Sequence, residues 1–178
     1  MNIRRVLPTD WEAFRRLRLE ALRTDPLAFG STLERETGYP NDRWQGWAES
    51  GALGNDSATF VVEAEPGQLV GMAGVFTDQG EYHLWGMWVA PEARGQGLGL
   101  GLLDRLLAWA DSASPQRTVR LDVNPAQTVA VRLYEVRGFR PTGKTTPLGH
   151  HPPATVQGMV LVRGGALPRE EGRTTDSR

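Results

Sequence analysis

The chain has 178 residues, 39% of them hydrophobic and 23% charged, with a formal net charge of -1. That length supports one well-buried domain, and a nearly neutral chain offers no concentrated positive field for nucleic acid or an anionic membrane. It contains no cysteine, which excludes disulfides, zinc-thiolate sites and a thiol nucleophile within it. Residues 1–5 lead straight into a charged amphipathic stretch without an apolar signal segment, so the expected compartment is cytoplasmic.

Residues 2–7 read as a short strand stopped by Pro8-Thr9-Asp10. Thr9 and Glu12 have the spacing of a capping box, and Trp11, Phe14, Leu17, Ala21 and Leu22 recur at helical spacing up to Asp25-Pro26. Residues 27–54 mix Gly, Pro, Trp and charge, and read as a loop with one short helix around 42–50. Three strand-like runs follow, 58–64, 69–76 and 82–89, separated by Glu65-Pro66-Gly67 and Asp78-Gln79-Gly80; they predict an antiparallel meander. Gly99, Leu102, Leu103, Leu106, Leu107 and Ala110 then mark the apolar face of a helix reaching to about Ser112. Residues 118–123 form a compact β-branched strand, after which Asn124-Pro125 opens a second helix carrying Val129, Ala130, Leu133 and Tyr134. Gly138 is its expected left-handed cap, with Phe139 as the hydrophobic residue beyond. A last strand covers 156–162. The predicted domain is therefore 1–163, and 164–178, with nothing apolar after Leu167, reads as a disordered tail.

The chemistry concentrates in the turn after the third meander strand, which runs Trp88-Val89-Ala90-Pro91-Glu92-Ala93-Arg94-Gly95-Gln96-Gly97-Leu98-Gly99-Leu100. Glycines let the backbone approach a ligand closely, and amides at the start of the following helix can point at phosphate oxygens, helped by the helix dipole. The same glycines can also serve as a bare strand-to-helix connector. No P-loop is present, because Gly99 is followed by Leu100 and Gly101, and no G-x-G-x-x-G dinucleotide fingerprint fits either.

Arg94, Gly97 and Gly99 match R/Q-x-x-G-x-G/A, the pyrophosphate-binding motif of the GNAT superfamily of N-acetyltransferases, and Val89-Ala90-Pro91-Glu92 resembles its usual lead-in. Downstream, Ala130, Leu133-Tyr134-Glu135 and Gly138-Phe139 are similar to the family's A-x-x-L-Y-E-x-x-G-F. The two motifs stand in the family's order, and with the flanking strands the resemblance covers about residues 60–162, while 1–25 fits its first strand and helix. It implies an α/β fold with a mixed, largely antiparallel central sheet flanked by helices on both faces.

The resemblance also implies a co-substrate, acetyl-coenzyme A. Met87, Trp88 and Val89 would lie along its pantetheine arm and bond it through the main chain as an added strand does, while Arg94, Gly95, Gln96, Gly97, Leu98, Gly99 and Leu100 would hold its pyrophosphate. Transfer to an amine needs a group that takes a proton, because free amines are largely protonated near neutral pH. Glu81 stands where ribosomal-protein acetyltransferases of the family place a glutamate proposed as base. On an unbroken strand Glu81, His83, Trp85 and Met87 share one face, which makes His83 the reserve. Tyr134 matches the tyrosine that is often the family's general acid, whose phenol returns a proton to the departing thiolate, though it can also be read as packing on the helix's apolar face beside Ala130 and Leu133. Where many relatives have a cofactor-contacting asparagine the chain has Gln127, and Asn124, also readable as a helix N-cap, is the substitute.

Acceptor recognition in the family comes from the segment after the first helix and from the loop before the last strand, here residues 27–47 and 142–155. Phe29, Tyr39, Trp44 and Trp47 with Glu34 and Glu36 could hold an amine by aromatic and carboxylate contacts, or could simply close the core. Asp25-Pro26-Leu27-Ala28-Phe29-Gly30-Ser31-Thr32 resembles a segment common in the family. His150 and His151 lack a third ligand, so no metal is expected. The expected reaction is transfer of an acetyl group to a primary amine on a small molecule or a protein N-terminus. Dimers are frequent in the family, which leaves a homodimer open, and no nucleic-acid or membrane partner is expected. The alternative reading is a catalytically weak acyl-CoA-binding or interaction module that kept the cradle without a competent base.

Overall fold

The computed structural model describes residues 1–163, and the predicted tail, 164–178, lies outside them. Strand β1 (Asn2–Arg5) leads through a short 3-10 turn (Pro8–Asp10) into helix α1 (Trp11–Thr24). Helices α2 (Leu33–Thr37) and α3 (Asn41–Leu53) precede the meander β2 (Ser57–Glu65), β3 (Gln68–Asp78) and β4 (Glu81–Val89). Helix α4 (Leu98–Ala113), strand β5 (Val119–Val123), helix α5 (Thr128–Val136) and strands β6 (Phe139–Pro147) and β7 (Thr155–Leu161) complete the described chain. The strands form one sheet in the order β1-β2-β3-β4-β5-β7-β6. Every neighbouring pair is antiparallel except β4 with β5. The expected mixed, largely antiparallel sheet is therefore present.

Helices cover both faces, as amphipathic patterning requires. Helix α1 buries Phe14, Leu17, Arg18, Ala21 and Leu22, and Phe14 meets Trp85 of β4 edge-to-face at 6.4 Å. Helix α4 buries Leu102, Leu103, Leu106, Trp109 and Ala110, and Trp109 meets Tyr82 of the same strand at 5.2 Å. Tyr82 and Trp85 point to opposite sides of a pleated strand, so α1 and α4 sandwich the sheet. Among the described residues no helix is long and apolar enough to cross a membrane.

The local expectations fail in four places, each for a physical reason. The capping box does not form: the Thr9 side chain caps nothing, and Asp10 instead accepts a hydrogen bond from Leu7 N at 2.8 Å. Residues 27–54 contain two helices rather than a loop with one short one. Helix α3 buries only Trp44, Ala48 and Gly51, an i, i+4, i+7 stripe too thin to announce itself. Its Gly51 is there for close packing, since a Cβ would lie 2.5 Å from Thr59 Oγ1. Strand β6 was not expected, because Pro141, Gly143 and Pro147 read as loop. As an edge strand it tolerates proline, and its register slips between Pro141 and Thr145 around Gly143. Finally, α5 begins at Thr128, not directly after Asn124-Pro125, because Asn124 Oδ1 accepts from Ala126 N at 2.9 Å and holds a turn ahead of the helix. Its other end matches expectation, with Gly138 at φ +91° and Phe139 fully buried.

Candidate functional site

Strand β4 is not regular. Trp85 opposes Gly74 and Trp88 opposes Met72, so Gly86 and Met87 together face one residue of β3. This is a β-bulge, and Gly86 adopts φ +66°, a conformation that favours glycine. The bulge breaks the predicted alternation: the side occupied by Glu81, His83 and Trp85 is continued by Trp88, and Met87 leaves it. On the other edge, β4 pairs with β5 only at Tyr82↔Val119 and His83↔Arg120. Beyond His83 the parallel strands part, which leaves that edge of β4 without a strand partner among the described residues.

A cleft of about 550 Å³ opens at this parting. Met87, Trp88 and Val89 form one wall, the first turn of α4 the floor, and Gln127 through Ala130 with Leu133 the opposite wall. Such a volume is typical of a small-molecule site. Arg94, Gly95, Gly97, Leu98, Gly99 and Leu100 all line it, whereas Gln96 is exposed outside the lining. Gly95 and Gly97 have φ of +77° and +74°, and a Cβ on either would meet nothing within 4 Å. Glycine is therefore required at both positions by backbone conformation, and the space beside them is open. Gly99 serves a different purpose, because its Cβ would lie 3.0 Å from Leu133 Cδ1, so the glycine lets the α5 side chain pack closely on α4. The two helices are also tied by Arg137, which donates from Nε and Nη2 to Asp104 at 2.6 and 2.9 Å. With the dipole of the 16-residue α4 behind it, this turn suits an anion of the diphosphate type.

The Arg94 side chain turns back from the turn. It donates from Nη2 to Asp25 Oδ2 at 2.6 Å and from Nε to Val89 O at 2.9 Å, and Trp88 Nε1 donates to the same Asp25 oxygen at 2.7 Å. Asp25 thus clips the end of α1 to the end of β4 and to the turn, and it lines the cleft. Sequence reasoning assigned it no role, although it opens the Asp25-to-Thr32 segment that resembled the family. Asn124 is 6% exposed, does not line the cleft and uses its amide locally, accepting from Ala126 N and donating to Leu27 O at 3.4 Å. Gln127 lines the cleft.

Tyr134 is 6% exposed and packs edge-to-face on Phe139 at 5.8 Å. Burial pushes its phenol above the ordinary value of 10.0. Glu81 receives a hydrogen bond from Arg120 Nε at 2.6 Å, and His83 stacks on Phe76 at 5.6 Å. Both line a second, polar pocket of about 390 Å³ with Asp122 of β5 and Thr142 of β6. Asp122 is a further carboxylate on this side of the sheet, two residues past Arg120 where the strands part.

The segment after α1 is a side-chain cluster rather than an open amine box. Trp44 is fully buried and meets Trp47 at 5.1 Å, Trp47 meets Trp85 at 5.9 Å, and both oxygens of Glu36 are taken by Arg18.

Residues 11–139 match the model of the Acetyltransferase (GNAT) family. Several solved structures share the fold. An acetyltransferase of the GNAT family from Streptococcus pneumoniae is 22% identical with a TM-score of 0.75, covering 89% of this chain and 97% of its own. A putative acetyltransferase from Salmonella typhimurium, solved with its cofactor acetyl-CoA, is 22% identical with a TM-score of 0.74 over 96% of this chain and 98% of its own. A phosphinothricin acetyltransferase from Sinorhizobium meliloti in complex with acetyl-CoA is 21% identical with a TM-score of 0.73, over 96% and 94%. The chain belongs to the GNAT family of acetyltransferases: it is an acyltransferase with acetyl-CoA as its co-substrate.

Proposed function

We propose that the chain acetylates a primary amine, on a small molecule or a protein N-terminus, by direct attack of the amine on the thioester, so that a C–N bond forms as the C–S bond breaks. The observation that carries this reading is the junction of two features: main-chain donors at 95–100 with open space beside Gly95 and Gly97, and the unpaired edge of β4 from Leu84 onward. A diphosphate fits the first and an extended amide-bearing arm fits the second. Acetyl-CoA supplies the activated acyl group.

Main-chain groups of Met87, Trp88 and Val89 orient the arm, and the amides of Gly95, Gln96, Gly97, Leu98, Gly99 and Leu100 take the pyrophosphate. Arg94 acts mainly by bracing the turn through Asp25 and Val89 O. The Gln127 amide serves the cofactor from the opposite wall, while Asn124 supports it by holding the turn before α5.

Tyr134 Oη keeps its proton throughout the neutral range and donates it toward the leaving sulfur. Glu81, with His83 in reserve, takes the amine proton from the polar pocket, through water if the acceptor lies nearer the parting of the strands. The packed aromatic layer over Trp85 favours a compact acceptor over a polypeptide end.

The test is release of free thiol from acetyl-CoA across a panel of amines and N-terminal peptides. Acceptor-dependent release with N-acetyl product supports the reading. Tight CoA binding with no turnover on any amine contradicts it.

A further inference from the structure

Arg18 sits on the inner face of α1 at 5% exposure, a burial that a guanidinium tolerates only when paired. Its partner is Glu36 of α2, 2% exposed. Nε donates to Oε2 at 2.9 Å and Nη2 to Oε1 at 2.8 Å, a two-pronged contact that fixes the guanidinium plane. Phe29 at 4.5 Å and Trp85 at 5.8 Å from the guanidinium carbon hold that plane from the sides. This pairing uses one edge of the fork. The remaining nitrogen, Nη1, is buried and has no hydrogen-bond partner among the described residues.

That nitrogen has a specific neighbour. It lies 3.9 Å from the position a Cβ on Gly86 would occupy, and Gly86 is the bulge residue that directly precedes Met87, a wall of the cofactor cleft. A side chain at Gly86 would fill the space in front of Nη1. A buried donor without an acceptor is costly, and a buried ion pair is often no more stabilising than apolar packing of the same volume. Both costs have a reason if the acceptor oxygen arrives with a ligand. The charge of Glu36 is meanwhile buried and paired with Arg18, which contacts both its oxygens, so it is poorly placed to receive an ammonium group.

On the acetyl-transfer reading above, on which this step rests, we propose that Arg18 is an acceptor-binding residue. Nη1 donates to an anionic oxygen of the incoming amine, and the acceptor is a small amine that carries a carboxylate, of the α-amino acid type. The carboxylate sits at the Gly86 bulge, with its amine turned toward the Met87 end of the cleft. Glu36, Phe29 and Trp85 are positioning residues that keep the fork aimed.

The test uses the full chain and acceptors that differ only in the carboxyl group: L-α-amino acids, their α-carboxamides and the corresponding decarboxylated amines. The expected result is that the carboxylate form is favoured in kcat/KM by at least about tenfold, the effect expected of one charged hydrogen bond, with the difference carried by acceptor KM. Arg18→Gln is expected to collapse that preference while CoA still raises the melting temperature. If Arg18→Gln does not fold, the wild-type comparison decides. Equal or better turnover of the carboxamides and simple amines overturns the inference and leaves acetyl transfer standing. Absence of product from every acceptor contradicts the transfer reading instead. The inference is then decided by whether amino acids stabilise the CoA complex more than their carboxamides do: greater stabilisation supports it and equal stabilisation overturns it.

Discussion

The turn at residues 94–100 and the layer formed by α1, α2 and α3 both adjoin the C-terminal half of β4, yet they are built from opposite materials. In the turn the working parts are main-chain amides, and side chains matter by being absent at Gly95 and Gly97. In the helical layer the working parts are large side chains that fix one another: Arg18 on Glu36, Phe29 and Trp85, and Trp47 on Trp44 and Tyr39. A main-chain site recognises a chemical group common to many ligands, on our proposal a diphosphate here. A side-chain site can be changed residue by residue without disturbing the turn, which is why we propose that acceptor choice is set there.

Substitutions in each region test this contrast. The largest effect is expected from Glu36→Ala, which strands the Arg18 charge in a buried layer and should cost about 3–5 kcal/mol of stability by urea unfolding. A loss below about 1 kcal/mol would mean that the layer does not depend on this pair. Gly97→Asp places a side chain at φ +74° and a negative charge where an anion is to be held. CoA affinity by calorimetry should fall by at least about 100-fold, or about 2.7 kcal/mol, and an unchanged affinity in a folded variant would contradict the main-chain cradle. Tyr134→Phe should lower kcat by at least about tenfold while leaving CoA affinity within about twofold; an unaltered rate would remove its phenol from the chemistry.

The smallest effect serves as a control, because Glu63 belongs to neither half. Hydrogen bonds from Arg4, and then from Gly67 N, pull its carboxyl down from 4.5 to about 2. A carboxyl depressed by folding adds stability that is present above its unfolded value and is lost as pH falls through the folded one. Stability should therefore decline between about pH 4.5 and 2, and Glu63→Gln should flatten this decline slightly without altering CoA affinity or turnover.

The same contrast governs what could be read from the amino acids alone. Arg94, Gly97 and Gly99 announced the turn by their spacing, although only Gly97 of the three is held there by a left-handed backbone, Gly99 being set by its contact with Leu133. The α4 stripe from Leu102 to Ala110 was readable because its burial follows the helical period, and the meander because turn residues separate its apolar runs. The helical layer was not: α3 has a three-residue buried stripe, and its Gly51 looks like a breaker until Thr59 is seen against it. The bulge at Gly86 was hidden for a similar reason, since register is a property of two strands and only β4 was being counted. Glu36 read as a carboxylate for an amine, because nothing local reveals that Arg18, 18 residues away, takes both its oxygens.

The most direct test of the main-chain cradle is a crystal structure of the protein with CoA. The account predicts diphosphate oxygens within hydrogen-bonding distance of backbone nitrogens at 95–100, and the pantetheine arm along the free edge of β4 beside Met87 and Val89. A diphosphate bound elsewhere, with this turn touching none of its oxygens, would contradict it.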